Sequence, residues 1–119
     1  MIKRVDIRKN ETLFTDVLIV GGGAAGVAAA HTLAAKNKKV IIVEKYGFCG
    51  GGAVAGLSGT ICGMYEASDK LTNKPKQSVF GFTDKFAKMM AENGGLSEPV
   101  KYGKTYTRVH DPLVWRETA

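Results

Sequence analysis

Asp16 is followed by Val-Leu-Ile-Val20, an unbroken run of mostly β-branched apolar residues. The run is too short for a helix and does not alternate with polar residues. It predicts a strand buried on both faces of a parallel sheet. Gly21 to Gly26 break the pattern. From Val27 to Lys36 the apolar positions return at helical spacing, with Val27, Ala30 and Leu33 or Ala34 on one stripe of an Ala-rich segment. Asn37 and Lys38 end that helix. Lys39-Val-Ile-Ile-Val43 is a second buried strand, closing on Glu44. Strand, helix and strand at these spacings predict a β-α-β unit with parallel strands and a right-handed crossover.

The pattern is looser on either side. Residues 1–15 read as a leader in which Val5 and Ile7 form a brief edge strand, and residues 45–63 as a Gly-rich loop. Lys70 to Gln77, with Asn73 and Pro75, is polar and exposed. A second helix is predicted from Asp84 to Asn93, capped by Thr83. Phe86, Met89 and Met90 form its apolar face, and Gly94 takes the left-handed position at its end. Residues 100–109 alternate as a strand or hairpin arm. Asp111-Pro112 opens a last helix, with an N-cap side chain and proline at the first helical position. Leu113, Val114 and Trp115 are its packing anchors, yet a helix of about two turns at a free end is marginal. The expected organisation is a leader (1–15), a nucleotide unit with its Gly-rich loop (16–65), and the start of an inserted or substrate-side segment (66–119) that looks cut. The fold class is α/β, a Rossmann-like β-α-β unit with parallel strands whose sheet is incomplete in this chain.

Composition changes this picture little. The chain has 119 residues, a formal charge of +6 and 45% apolar residues. The basic residues are scattered, with no block of five like charges and no aromatic interleaving, so nucleic acid is not an expected partner. Val17 to Ala35 is almost uncharged, but its Gly-Gly-Gly centre suits a turn and not a membrane span or signal peptide. A soluble, cytoplasmic protein is expected. Cys49 and Cys62 are too few for a disulfide framework or a zinc site and too far apart for a dithiol motif. They read as free, buried, structural thiols. His31 and His110 have no neighbours at ligand spacing, so no metal is expected, and no Ser-His-Asp arrangement is apparent.

The candidate chemistry lies at the turn. Gly21-x-Gly23-x-x-Gly26 follows a strand and opens a helix, and Glu44 ends the next strand 18 positions after Gly26. This is the context that a dinucleotide fingerprint requires. Gly21 permits the sharp turn, Gly23 clears space for a pyrophosphate, and Gly26 lets the helix sit close on the sheet. Free N–H groups and the positive end of the helix dipole then face the phosphates. Glu44 can accept hydrogen bonds from the adenosine ribose, and its charge disfavours the 2′-phosphate of NADP. The competing reading is a Gly-rich turn without ligand, with Glu44 a solvated strand end; spacing, strand, helix and acid together favour the nucleotide.

An acidic strand end followed after five residues by Gly50-Gly51 resembles the FAD-binding proteins of the glutathione reductase-like superfamily. More narrowly, the stretch from Asp16 through Glu44 to Gly50-Gly51-Gly52 and on to Tyr65 is similar to the N-terminus of its FAD-dependent oxidoreductases. The resemblance implies FAD as cofactor, with the loop at 50–52 along the pyrophosphate and ribitol. Glycines there let backbone amides approach a phosphate, although three glycines also serve plain turns. The implied cofactor-binding residues are Gly21, Gly23, Ala24, Ala25, Gly26, Glu44, Lys45, Gly50, Gly51 and Gly52. Cys62 lies in a stretch that can pass near the flavin ring.

The third nucleotide-sheet strand and the late Gly-Asp segment of such proteins are absent. The expected function is therefore a FAD-binding fragment or subunit of a flavin-dependent oxidoreductase, holding the ADP half of the cofactor. The remainder of the protein, or another chain, would complete the fold around an unknown small-molecule substrate. Residues 50–53 are also similar to thiazole-biosynthesis synthases, which share the fold but consume NAD. A purely structural fragment is the third reading.

Overall fold

The computed structural model describes residues 12–119; the edge strand expected at Val5 and Ile7 lies outside them. Two small sheets and three helices follow one another along the chain. β1 (Val17–Val20) and β2 (Val40–Val43) pair in parallel, Val17 opposite Val40 and Val20 opposite Val43. Between them runs α1 (Ala24–Ala34). The sheet start is tied by Asp16, whose Oδ2 accepts from the Lys39 N–H at 2.8 Å, and by Thr15, whose hydroxyl donates to the Lys39 carbonyl at 2.6 Å. The fold is thus mixed α/β with a parallel β1–β2 pair, a partial Rossmann-like fold.

α1 covers only one face of this pair. Leu18 and Val20 point to the other and are 57% and 83% exposed, where burial on both faces was expected. The branched run forms its strand regardless, because β-branched side chains favour the pleated backbone. α1 also begins three residues before its first apolar position. Ala24, Ala25 and Gly26 form a first turn with no apolar signature, and Gly23, extended at φ −68°, is the N-cap.

After β2, the Gly-rich segment is more ordered than expected. It contains a 3-10 turn at Gly51–Ala53 and a short strand β3 (Thr60–Ile61). α2 spans Phe82–Glu92, so its cap is Gly81 and not Thr83. Gly81 takes φ +81°, a turn only glycine makes easily, and Asp84 in the first turn suits the helix dipole. Gly94 has the left-handed φ of +71° expected after the helix. β4 (Val100–Tyr102) and β5 (Thr105–Val109) form a hairpin, and β5 pairs on its other edge with β3, giving the antiparallel order β3-β5-β4. α3 (Pro112–Thr118) starts as expected: the Asp111 carboxylate accepts from the N–H groups of Leu113 (2.7 Å) and Val114 (3.3 Å).

Two apolar clusters meet on α2. Phe86 and Met90 join Val27, Val54 and Trp115 in one, while Ala87 joins Met64, Tyr65 and Tyr106 in the other. Of the methionine pair, Met90 is fully buried and Met89 is exposed, since adjacent helical positions lie about 100° apart. Among the described residues no helix is long and apolar enough to cross a membrane.

Candidate functional site

The turn from β1 into α1 is built from backbone that side chains would obstruct. Gly21 adopts φ +99°, and a Cβ on Gly26 would lie 2.0 Å from the Gly21 carbonyl oxygen. Helix and turn therefore touch through backbone alone. At Gly23 the situation differs: a Cβ there would meet nothing closer than the Gly51 Cα, 4.0 Å away. The space above Gly23 is open. α1 has no side-chain cap and no acidic residue in its first turn. Its first bonded amide is Val27, which donates to the Gly23 carbonyl at 2.9 Å. The N–H groups of Ala24, Ala25 and Gly26 lack intrahelical acceptors, as the first amides of any helix do. Unbonded amides at a helix start are the seat an anion requires.

Two loops close on this turn. Glu44 reaches back from the end of β2, its Oε2 accepting from the Gly22 N–H at 2.6 Å and its Oε1 from the Tyr46 N–H at 3.0 Å. The backbone hydrogen bonds from Tyr46 and then Gly22 hold the Glu44 carboxyl below its ordinary value of 4.5. From the other side, the Gly50 N–H donates to the Gly22 carbonyl at 2.8 Å. Gly22 is thereby bonded to both loops, and a Cβ on it would strike the Cys49 sulfur at 2.8 Å. The fingerprint spacing names only Gly21, Gly23 and Gly26. The sole sign of Gly22 in the sequence is that it is the middle one of three consecutive glycines.

The structure sorts the remaining candidates. Gly50 is buried, and its N–H is committed to Gly22. Gly51, at φ +50°, lies against Gly23, where a Cβ would be 3.0 Å from the Gly23 Cα. The N–H groups of Gly51 and Gly52 open the 3-10 turn without a backbone acceptor among the described residues. Val20, Gly21, Val43, Glu44 and Lys45 line an open groove of about 400 Å³ beside the strand ends. The Lys45 ammonium sits 4.8 Å over the Tyr46 ring. Cys49 is partly buried, and desolvation, followed by the nearby Glu44 charge, pushes its thiol above 9.0. Cys62 departs from the expectation of a buried thiol: it is exposed just after β3, its sulfur 3.4 Å from the Thr107 hydroxyl.

A pH dependence follows from Glu44. A carboxylate with a lowered folded-state pKa stabilises the fold above its unfolded value of 4.5 and loses that contribution as the pH falls through the lower, folded value. Glu44→Gln keeps the shape and removes the charge. The stability difference between wild type and Glu44→Gln should be full near neutral pH and vanish on acidification below 4.5, read by urea unfolding across that range. A difference that persists unchanged into acid would show that the carboxylate charge is not what ties the turn.

A parallel β-α-β unit with a glycine turn between the first strand and the helix, and a carboxylate at the end of the second strand, defines a partial fold of the Rossmann-like type. The chain belongs to the FAD dependent oxidoreductase family, whose model matches residues 16–119. Among curated proteins it is similar to a 4-oxocyclohex-2-ene-1-carboxylate 5-dehydrogenase of Sinomonas cyclohexanicum, 47% identical over 38% of this chain and 8% of that protein. It is 44% identical to a cinnamate reductase of Clostridium sporogenes over 45% of this chain and 8% of that one. With the chloroplastic prolycopene isomerase of Arabidopsis thaliana it shares 33% identity over 63% of this chain and 11% of the isomerase. The chain spans about a tenth of the length of these relatives. No solved structure matches it.

Proposed function

We propose that this chain holds the ADP half of FAD in a flavin-dependent oxidoreductase of the glutathione reductase-like superfamily, with the remainder of a longer protein completing the flavin and substrate sites. In this reading residues 16–65 are the nucleotide unit and residues 66–119 begin the substrate-side segment. The observation that carries it is the open space above Gly23, framed by the first amides of α1 and the glycines at 51 and 52. Ala24, Ala25 and Gly26 donate their N–H groups to the pyrophosphate. Gly51 and Gly52 approach it from the facing loop, and Gly50 fixes that loop by its bond to Gly22. Glu44 keeps a lone pair on each carboxylate oxygen for the ribose hydroxyls and repels a 2′-phosphate. Lys45 and the Val20–Val43 floor flank the adenosine.

When bound, FAD supplies two-electron redox chemistry, and the protein supplies binding, orientation and electrostatics. The reductase and dehydrogenase names among the relatives favour that chemistry over consumption of NAD. We place the protein in the cytoplasm, where Cys49 and Cys62 stay reduced.

Gly23→Ala tests the reading cleanly. Gly23 has φ −68°, which alanine adopts, and its Cβ would have 4.0 Å of clearance. Stability should change by less than about 1 kcal/mol. The methyl group would occupy the pyrophosphate space, so FAD affinity should fall about tenfold or more, equivalent to about 1.4 kcal/mol. Titration of flavin fluorescence reads both proteins. Equal affinity in wild type and Gly23→Ala would overturn the proposal.

A further inference from the structure

We infer that the half-open cavity lined by α1, α2, β3 and α3 is a second binding site, for an uncharged, flat and largely apolar small molecule whose polar edge is met by His110. The inference goes beyond the flavin reading and does not require it. The cavity has a volume of about 390 Å³, within the range of small-ligand pockets. Its walls are mainly apolar, with Phe82, Phe86 and Trp115 giving flat faces and Ala28 leaving room beside α1. It opens where Thr60 and Cys62 are exposed.

His110 is the group that points to a ligand. It is 5% exposed, it lines this cavity, and its Nδ1 is buried with no hydrogen-bond partner among the described residues. Buried ring nitrogens are ordinarily paired. The backbone around His110 is fixed: its N–H donates to the Gly59 carbonyl at 3.0 Å, it bridges to Leu96, and the next residue caps α3. The backbone thus places the imidazole at the cavity wall, and its Nδ1 has hydrogen-bonding capacity unused among the described residues. A carbonyl or hydroxyl seated beside it, with a small turn of the ring, supplies the missing partner.

The charge of the ligand follows from what the wall lacks. Among the described residues lining the cavity there is no Lys, Arg, Asp or Glu. A carboxylate entering it would be desolvated without a counter-ion, which is strongly unfavourable. A neutral ring with one polar edge meets no such penalty. Ala24 and Ala53 line both this cavity and the flanks of the glycine turn, so a molecule seated here lies next to the proposed cofactor seat.

The test uses coumarin, a neutral bicyclic lactone with one carbonyl edge, against its anionic relative coumarin-3-carboxylate, on the 119-residue chain without flavin. Trp115 is the only tryptophan, so its indole N–H resonance reports on this site alone. Coumarin should shift the Trp115 and His110 ring signals saturably, and the carboxylate should bind at least about tenfold more weakly. His110→Phe should weaken coumarin about tenfold. Ala28→Leu, which fills the cavity and leaves His110 in place, should abolish the shifts and keeps the test decisive if His110→Phe does not fold. Equal binding of the two compounds, or coumarin shifts that survive Ala28→Leu, would overturn the inference. Displacement of coumarin by saturating FAD would overturn the separate ligand and give the cavity to the flavin ring.

Discussion

Gly26→Ala should cost about 3 kcal/mol or more and, on the proposed reading, abolish FAD binding with it. The added Cβ would sit 2.0 Å from the Gly21 carbonyl oxygen and 3.4 Å from Ile19 Cγ2. The first neighbour is backbone, so no rotamer change relieves the clash, and α1 must move off the end of β1. Overpacking of this kind typically costs about 1–3 kcal/mol and more when backbone is involved. Domains are stable by only about 5–15 kcal/mol, so the thermal midpoint should drop by roughly 10–20 °C. Circular dichroism melting reads this. Gly23→Ala should behave oppositely: of two glycines three residues apart, one is structural and the other, on the proposed reading, clears space for the ligand. A Gly26→Ala chain that melts with wild type would show that α1 does not pack on the turn as described.

Trp115→Ala should have an effect of similar size, about 3–5 kcal/mol. Trp115 is buried, packs its ring 4.8 Å from that of Phe86, and lies within 3.2 Å of where a Cβ on Gly50 would be. It joins α3 to α2 and to the loop that closes on Gly22. This explains why a seven-residue helix is formed at all. The Asp111 cap satisfies its first amides, and Trp115 and Thr118 bury one face. Removing the ring should loosen Gly50–Val54 as well, so FAD affinity should fall together with stability in urea unfolding and flavin titration. Loss of stability with unchanged FAD affinity would separate the loop from α3.

The β-α-β unit was legible because its signals are local. Val17–Val20 and Val40–Val43 are unbroken branched runs, and Gly21, Gly23 and Gly26 stand at the spacing the turn needs. The start of α1 was not, since Ala24, Ala25 and Gly26 carry no apolar period. Thr83 looked like a cap because of its hydroxyl, but the turn at Gly81 places it inside the helix. Non-local pairings were hidden as well. Nothing in the sequence joins Gly22 to Glu44, 22 residues away, or to Gly50. In the sequence His110 has no neighbours that suggest a role. Its place in a cavity depends on β5 and α3 meeting α1 and α2, and no periodicity encodes that.

On the proposed reading, the amides at the start of α1, with those of the facing glycine loop, hold the pyrophosphate of FAD. Amide resonances followed while FAD is titrated into the ¹⁵N-labelled chain test it most directly. Saturable shifts should centre on Gly22 to Gly26 and on Gly51 and Gly52, be reproduced by ADP alone and be lost in Gly23→Ala. No binding, or FAD shifts that leave these amides unmoved, would contradict it.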